Sequence, residues 1–185
     1  TGSAPIDLCG TGGDHSSTIN ISTIAAFIIA GTDHKVAKHG NRAITGKCGS
    51  ADLLEVLGCK LSMTDEHITA ALDKANFAFF FAPEFHPAMK HAAPVRKELG
   101  FRTAFNLLGP LTNPAGVKAQ IVGTFSNQAA ELLAQAAAKL SYEKIAVYCS
   151  ENKFDEFFPD RPALVYSISH ENISVKEWTF ADVKK

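Results

Sequence analysis

Two short loops near the start of the chain, Cys9-Gly-Thr-Gly-Gly-Asp14 and Lys38-His-Gly-Asn-Arg42, constrain the fold more than any other feature. Each follows a short apolar run, Pro5 to Cys9 and His34 to Ala37, and each precedes an apolar helical stretch, Ile24 to Ala30 and Leu53 to Leu57. Strand, glycine hinge and helix, repeated in that order, call for parallel strands joined by helical crossovers. Both loops are therefore expected at one edge of one sheet. Gly10, Gly12 and Gly13 let the main chain approach a ligand closely. Asn20, Ser22 and Thr23 fall at the cap and first turn of the next helix, where free N–H groups and the helix dipole favour an anion and hydroxyls can face a hydrated cation. In the second loop Lys38, His39, Asn41 and Arg42 stand close together, and Gly49-Ser-Ala-Asp52 opens another helix. Two cations, an imidazole and an amide beside a glycine suit a polyphosphate carrying a sugar. Alone, the first loop would be a tight turn with an ordinary cap and the second a solvated basic turn; their pairing favours an anion site.

The rest of the chain alternates apolar strands with amphipathic helices. Thr64 caps a helix whose inward stripe is Ile68, Ala71, Leu72 and Ala75, and Asn76 to Ala82 reads as a buried aromatic strand. Pro87 to Leu99 reads as a helix ending at Gly100. Further strands are expected at Ala119 to Phe125, Lys144 to Cys149 and Ala163 to Ser169, with a helix from Gln128 to Leu140. Ile173 to Phe180 alternates like an edge strand or hairpin. The expected architecture is α/β: a mainly parallel central sheet flanked by helices, one domain across residues 1–185.

Composition closes off other classes. At 46% hydrophobic and 20% charged the chain has a soluble globular balance, and a net charge of −1 offers no global pull toward nucleic acid or an anionic membrane. The apolar run Ile24 to Ala30 is too short to span a bilayer, and Thr1 to Pro5 lacks the form of a secretion signal. Cys9, Cys48, Cys59 and Cys149 show neither metal-ligand spacing nor a disulfide framework, which points to free thiols in a reducing cytoplasm.

Taken together, Cys9 to Asp14, Thr18-Ile-Asn-Ile-Ser-Thr23, Lys38 to Arg42 and Gly49 to Asp52 resemble the signature set of the anthranilate phosphoribosyltransferase family. Phe81-Ala-Pro-Glu-Phe-His-Pro-Ala-Met-Lys90 and Phe105-Asn-Leu-Leu-Gly-Pro-Leu-Thr-Asn-Pro114 are similar to it too. The likeness is close from Asp7 to Pro114 and thinner from Lys144 to Glu156. It implies a nucleoside phosphorylase/phosphoribosyltransferase-like α/β domain, Mg2+ as cofactor, and small-molecule substrates: phosphoribosyl pyrophosphate as donor and anthranilate as acceptor. By the same resemblance the donor is held by Gly10, Gly13, Asp14, Thr18, Asn20, Ser22, Thr23, Lys38 and Ser50. Lys38 and Arg42 assist the leaving pyrophosphate electrostatically, with no general base required. Gly10, Asn41 and Arg96 face anthranilate, and Ser22, Asp155 and Glu156 hold the metal. By pattern alone, Arg96 is a surface arginine, Asp155-Glu156 an acidic turn, His86 a capping or packing residue and Asn106 an amide that satisfies a buried turn.

The sequence departs from the family's pattern in places. Thr45, Gly46 and Cys48 stand where the family often has serines, and Lys153 to Phe158 is bulkier around its carboxylates. The resemblance is to the middle of a longer enzyme with a leading helical domain and a closing segment, for which a homodimer is expected. Three other readings stay open: a pyrimidine nucleoside phosphorylase-like enzyme, in which Lys-His-Ser would stand at Asp7-Leu8-Cys9; a non-catalytic nucleic-acid-binding relative; and a dinucleotide oxidoreductase, whose glycine spacing fails between Cys9 and Ser16.

Overall fold

A computed structural model describes residues 4–14, 19–43, 48–140 and 142–183. Thr18, Thr45 and Gly46 lie outside the described residues. The chain runs β1 (Ile6–Gly10), α1 (Ile21–Ala30), β2 (Val36–Gly40), α2 (Ser50–Val56), α3 (Asp65–Ala75), β3 (Phe77–Phe81), α4 (Ala82–Phe85), α5 (Met89–Leu99) and α6 (Phe105–Leu108). After a 3-10 turn (Gly109–Thr112) come β4 (Ala119–Gly123), α7 (Asn127–Ala138), β5 (Lys144–Ser150), β6 (Ala163–Ser169), β7 (Asn172–Trp178) and α8 (Phe180–Val183).

The seven strands form one sheet in the order β3-β2-β1-β4-β5-β6-β7. Neighbours from β3 through β5 are parallel, whereas β6 and β7 add antiparallel. Leu8 and Val36 pack with Ala26 and Ala30 of α1, and Phe79 packs with Ala51 and Leu54 of α2. Ala37, Phe80, Val122 and Val147 pack with Ile68 of α3 and with Ala130, Leu133, Ala134 and Ala137 of α7. Alternate strand residues face opposite sides, so α1 and α2 cover one face and α3 and α7 the other. The alanine-rich face of α7 lets that helix lie close to the sheet, and Ser126 caps it by accepting the Ala129 N–H at 3.1 Å. Because the chain leaves β1 and β4 toward opposite faces, the gap beyond their C-terminal ends is the topological switch point, where open α/β sheets bind ligands.

Local chemistry explains where elements depart from the sequence expectation. β2 runs from Val36 to Gly40 rather than His34 to Ala37, because its register pairs Lys38, His39 and Gly40 with Phe79, Phe80 and Phe81. Lys38 and His39 are thus buried strand residues, not loop residues. The helix expected from Pro87 begins at Met89, after the separate turn α4, and Ala75 of α3 is exposed rather than inward. Thr64 caps α3 through His67 N–H, and Asn106 accepts the Thr103 N–H at 2.9 Å. The alternating segment near the end becomes β7, an edge strand paired to β6 in a hairpin.

A buried polar cluster pins the centre of the sheet. Asp7 is fully buried and accepts hydrogen bonds from the His39 main-chain N–H (3.2 Å), Asn113 Nδ2 (2.8 Å) and Gln120 Nε2 (3.1 Å). Asn113 also donates to Ala37 O and Gln120 to Pro110 O. The turn at Gly109–Thr112 and the end of β2 are therefore tied to one carboxylate. Burial raises the Asp7 pKa, opposed first by the charge of Lys38. Among the described residues no helix is long and apolar enough to cross a membrane, and all four cysteines are free thiols.

Candidate active site

The two glycine loops meet at one edge of the sheet because β1 and β2 are parallel neighbours. Lys38, only 1% exposed, joins them: its Nζ donates to Leu8 O on β1 and to Ser22 Oγ in the first turn of α1, at 3.1 Å for the latter. Burial lowers the Lys38 pKa, while Asp7, Cys9 and Glu156 act to raise it. Asn20 caps α1, and its Oδ1 accepts the Thr23 hydroxyl at 2.7 Å. Thr23 is fully buried.

The acidic loop after β5 closes the far side. Gly12 N–H donates to Asp155 Oδ2 at 2.7 Å, and Ser150 Oγ donates to Glu156 O at 2.7 Å. Glu151 and Asn152 turn the chain with positive φ, and Asn152 Oδ1 accepts the Asn127 N–H that opens α7. The bulky neighbours noted in the sequence find partners nearby: Phe157 packs on Tyr148 of β5, and Arg161 lies 5.3 Å from the Phe154 ring centre and 5.0 Å from that of Phe158. Asp155 is thereby held against β1 and β4. An added Cβ on Gly10 would stand 2.6 Å from Asp155 Oδ2, and one on Gly123 would overlap Asp155 O at 1.7 Å. Gly123 is required by close approach of backbone, whereas a side chain at Gly10 would push the Asp155 carboxylate aside.

Asp14 belongs to the same cluster. Burial first, then the charge of Asp14, pushes the Asp155 pKa up to about 7. Burial followed by Asp155 and Asp14 pushes Glu156 up to about 8, with Lys38 opposing. Crowded carboxylates that resist ionisation are stabilised by a divalent cation, and an all-oxygen set suits hard Mg2+. Among the described residues no three such groups form a ready-made metal cage.

Other expected residues take different places. Arg42 does not turn to the first loop: it forks onto Glu55 at 2.7 and 3.0 Å and onto Asp52 at 3.1 Å, on the surface of α2. Two carboxylates on α2 thus pair with the Arg42 guanidinium. Asn41 Oδ1 accepts the Arg42 N–H, and its carbonyl accepts Ala51 N–H. Ser50 is the first residue of α2, beside Gly40. Arg96 lies near the end of α5, its guanidinium 5.7 Å from the Phe105 ring centre, on a helix with no buried residue. Cys48 is exposed next to Gly49.

Asp7 and Arg102 escaped the sequence reading, and the pairing of the two histidines it named was not foreseen. His39 and His86 stack edge to face at 5.1 Å, each with a buried Nε2 lacking a hydrogen-bond partner among the described residues. Burial, then the neighbouring His86, lowers the His39 pKa to about 4. Arg102 reaches the first loop, donating to Gly13 O. A charged residue within an apolar strand was the available signal for Asp7; nothing in the local sequence signals Arg102.

The family model described as "Glycosyl transferase family, a/b domain" matches residues 3–185. The chain belongs to that glycosyl transferase family. An anthranilate phosphoribosyltransferase of Solibacter usitatus is 48% identical over 181 residues, covering 98% of this chain and 53% of the relative. One from Herpetosiphon aurantiacus is 49% identical over 163 residues, 88% of this chain and 48% of the relative. Among solved structures of this glycosyl transferase fold, anthranilate phosphoribosyltransferase from Thermus thermophilus is 42% identical and superposes with a TM-score of 0.87, covering 97% of this chain and 53% of that one. The Saccharomyces cerevisiae enzyme in complex with PRPP and Mg is 33% identical with a TM-score of 0.85, covering 95% and 48%. The chain spans about half the length of the curated relatives it matches.

Proposed function

We propose that the protein transfers the phosphoribosyl group from phosphoribosyl pyrophosphate to the amino nitrogen of anthranilate, releasing pyrophosphate. The observation that carries this reading is the convergence of the first glycine loop, the N-terminus of α1, buried Lys38 and the Asp14, Asp155 and Glu156 cluster at the switch point. That set presents main-chain donors, a fixed cation and a cation-seeking carboxylate group to one polyphosphate. The names of the relatives supply the acceptor.

In this reading the Gly13 N–H and the first turn of α1 bind donor phosphates, while the Thr11 and Gly12 N–H groups hold the loop to Gly123 O and Asp155. Lys38 stabilises charge that grows on pyrophosphate as the ribose carbon becomes cation-like. Ser22, Asp155 and Glu156 would hold Mg2+ with substrate oxygens; when bound, the ion neutralises charge on the leaving group. An aromatic amine is neutral at pH 7, so the acceptor needs positioning rather than a base. Asn41 and Arg96 would face it, with Gly10 near both substrates. The full-length protein, given phosphoribosyl pyrophosphate, Mg2+ and anthranilate, is expected to consume anthranilate fluorescence. No loss of fluorescence, with phosphate-dependent cleavage of uridine or thymidine instead, would assign the phosphorylase reaction.

A further inference from the structure

We propose that Arg102 is a positioning residue that sets the glycine loop in its anion-binding shape, an inference that rests on the donor-binding reading above. Its guanidinium does two things at once. Nη2 donates to the carbonyl of Gly13, and the guanidinium carbon lies 3.9 Å from the centre of the Phe125 ring. Phe125 follows β4 and Gly13 follows β1, and these neighbouring strands flank the switch point. The arginine thus bridges the two loops across the mouth of the cleft. Its own backbone is held in place, because Thr103 N–H is bonded to Asn106 Oδ1.

Gly12 and Gly13 have φ of +66° and +75°, a region that glycine enters freely and leaves freely. A loop so hinged can turn either a carbonyl or an N–H toward the ligand. In a trans peptide the C=O and the following N–H point opposite ways. Holding Gly13 O on Arg102 therefore keeps that carbonyl from turning toward an anion at the loop. The cation–π contact with Phe125 anchors the guanidinium while its fork reaches Gly13 O, a combination a lysine cannot reproduce.

Calorimetric titration of the full-length protein with phosphoribosyl pyrophosphate and Mg2+ tests this. Arg102→Ala is expected to weaken donor binding about tenfold. The donor KM should rise in parallel, with the anthranilate KM and kcat changing less than about twofold. Arg102→Lys should recover only part of the loss, and Phe125→Leu should weaken the donor in the same direction, with the double variant less than additive. Donor binding by Arg102→Ala and Phe125→Leu equal to that of the parent would overturn the proposal, as would equal rises in both KM values. A parent protein that does not bind the donor at all would instead overturn the donor-binding reading.

Discussion

At the scale of the residue, buried charge decides most of what is specific to this chain. Asp7 has no exposed surface and serves three donors from three segments. Replacing it with Asn puts an amide donor against Asn113 and Gln120, so Asp7→Asn should lose roughly 2–4 kcal/mol in urea denaturation. His39 gives a signed pH effect. Its pKa lies below the ordinary 6.5, at about 4, so between those values the unfolded chain binds a proton that the folded chain refuses. Stability from this group is present above pH 6.5 and is lost as pH falls toward 4. Urea midpoints measured at about pH 7.5 and about pH 5 should differ less in His39→Gln than in the parent. Gly10 has no room for a methyl beside Asp155. Gly10→Ala should displace that carboxylate and cut turnover roughly 100-fold while leaving the fold intact.

At the scale of the element, the periodic parts of the chain were legible and the buried polar parts were not. Thr64, the apolar stripe through Ile68 and the apolar runs of β5 and β6 announce themselves by spacing. The end of β2 does not, because Lys38, His39 and Gly40 resemble a loop until pairing with Phe79 to Phe81 shows them buried. The glycine loop and the carboxylate pair could be named from motif, yet their contact spans 143 positions and no local pattern encodes it. The pairing of Arg42 with Asp52 and Glu55 on the following helix is likewise a contact that the second loop alone does not announce. The acidic loop is seated on Gly123, where even one methyl would collide with the Asp155 carbonyl. Gly123→Ala should therefore cost at least about 3 kcal/mol or prevent folding, read as loss of a cooperative thermal transition.

At the scale of the whole molecule, the sheet brings the two glycine loops, Lys38 and the carboxylates to the switch point between β1 and β4. In the proposed reading, this switch point is where the donor would bind. Arg96, proposed to face the acceptor, lies on α5, a helix with no buried residue. The central claim is that one metal-bound polyphosphate bridges the glycine loop, Lys38 and the acidic loop. Crystals of the full-length protein soaked with phosphoribosyl pyrophosphate and Mn2+ in place of Mg2+ test it directly through anomalous difference density. The account predicts a peak within bonding reach of Asp155 or Glu156, next to pyrophosphate cradled by the loop from Gly10 to Asp14. Donor density elsewhere, or a metal peak remote from both carboxylates, would contradict it.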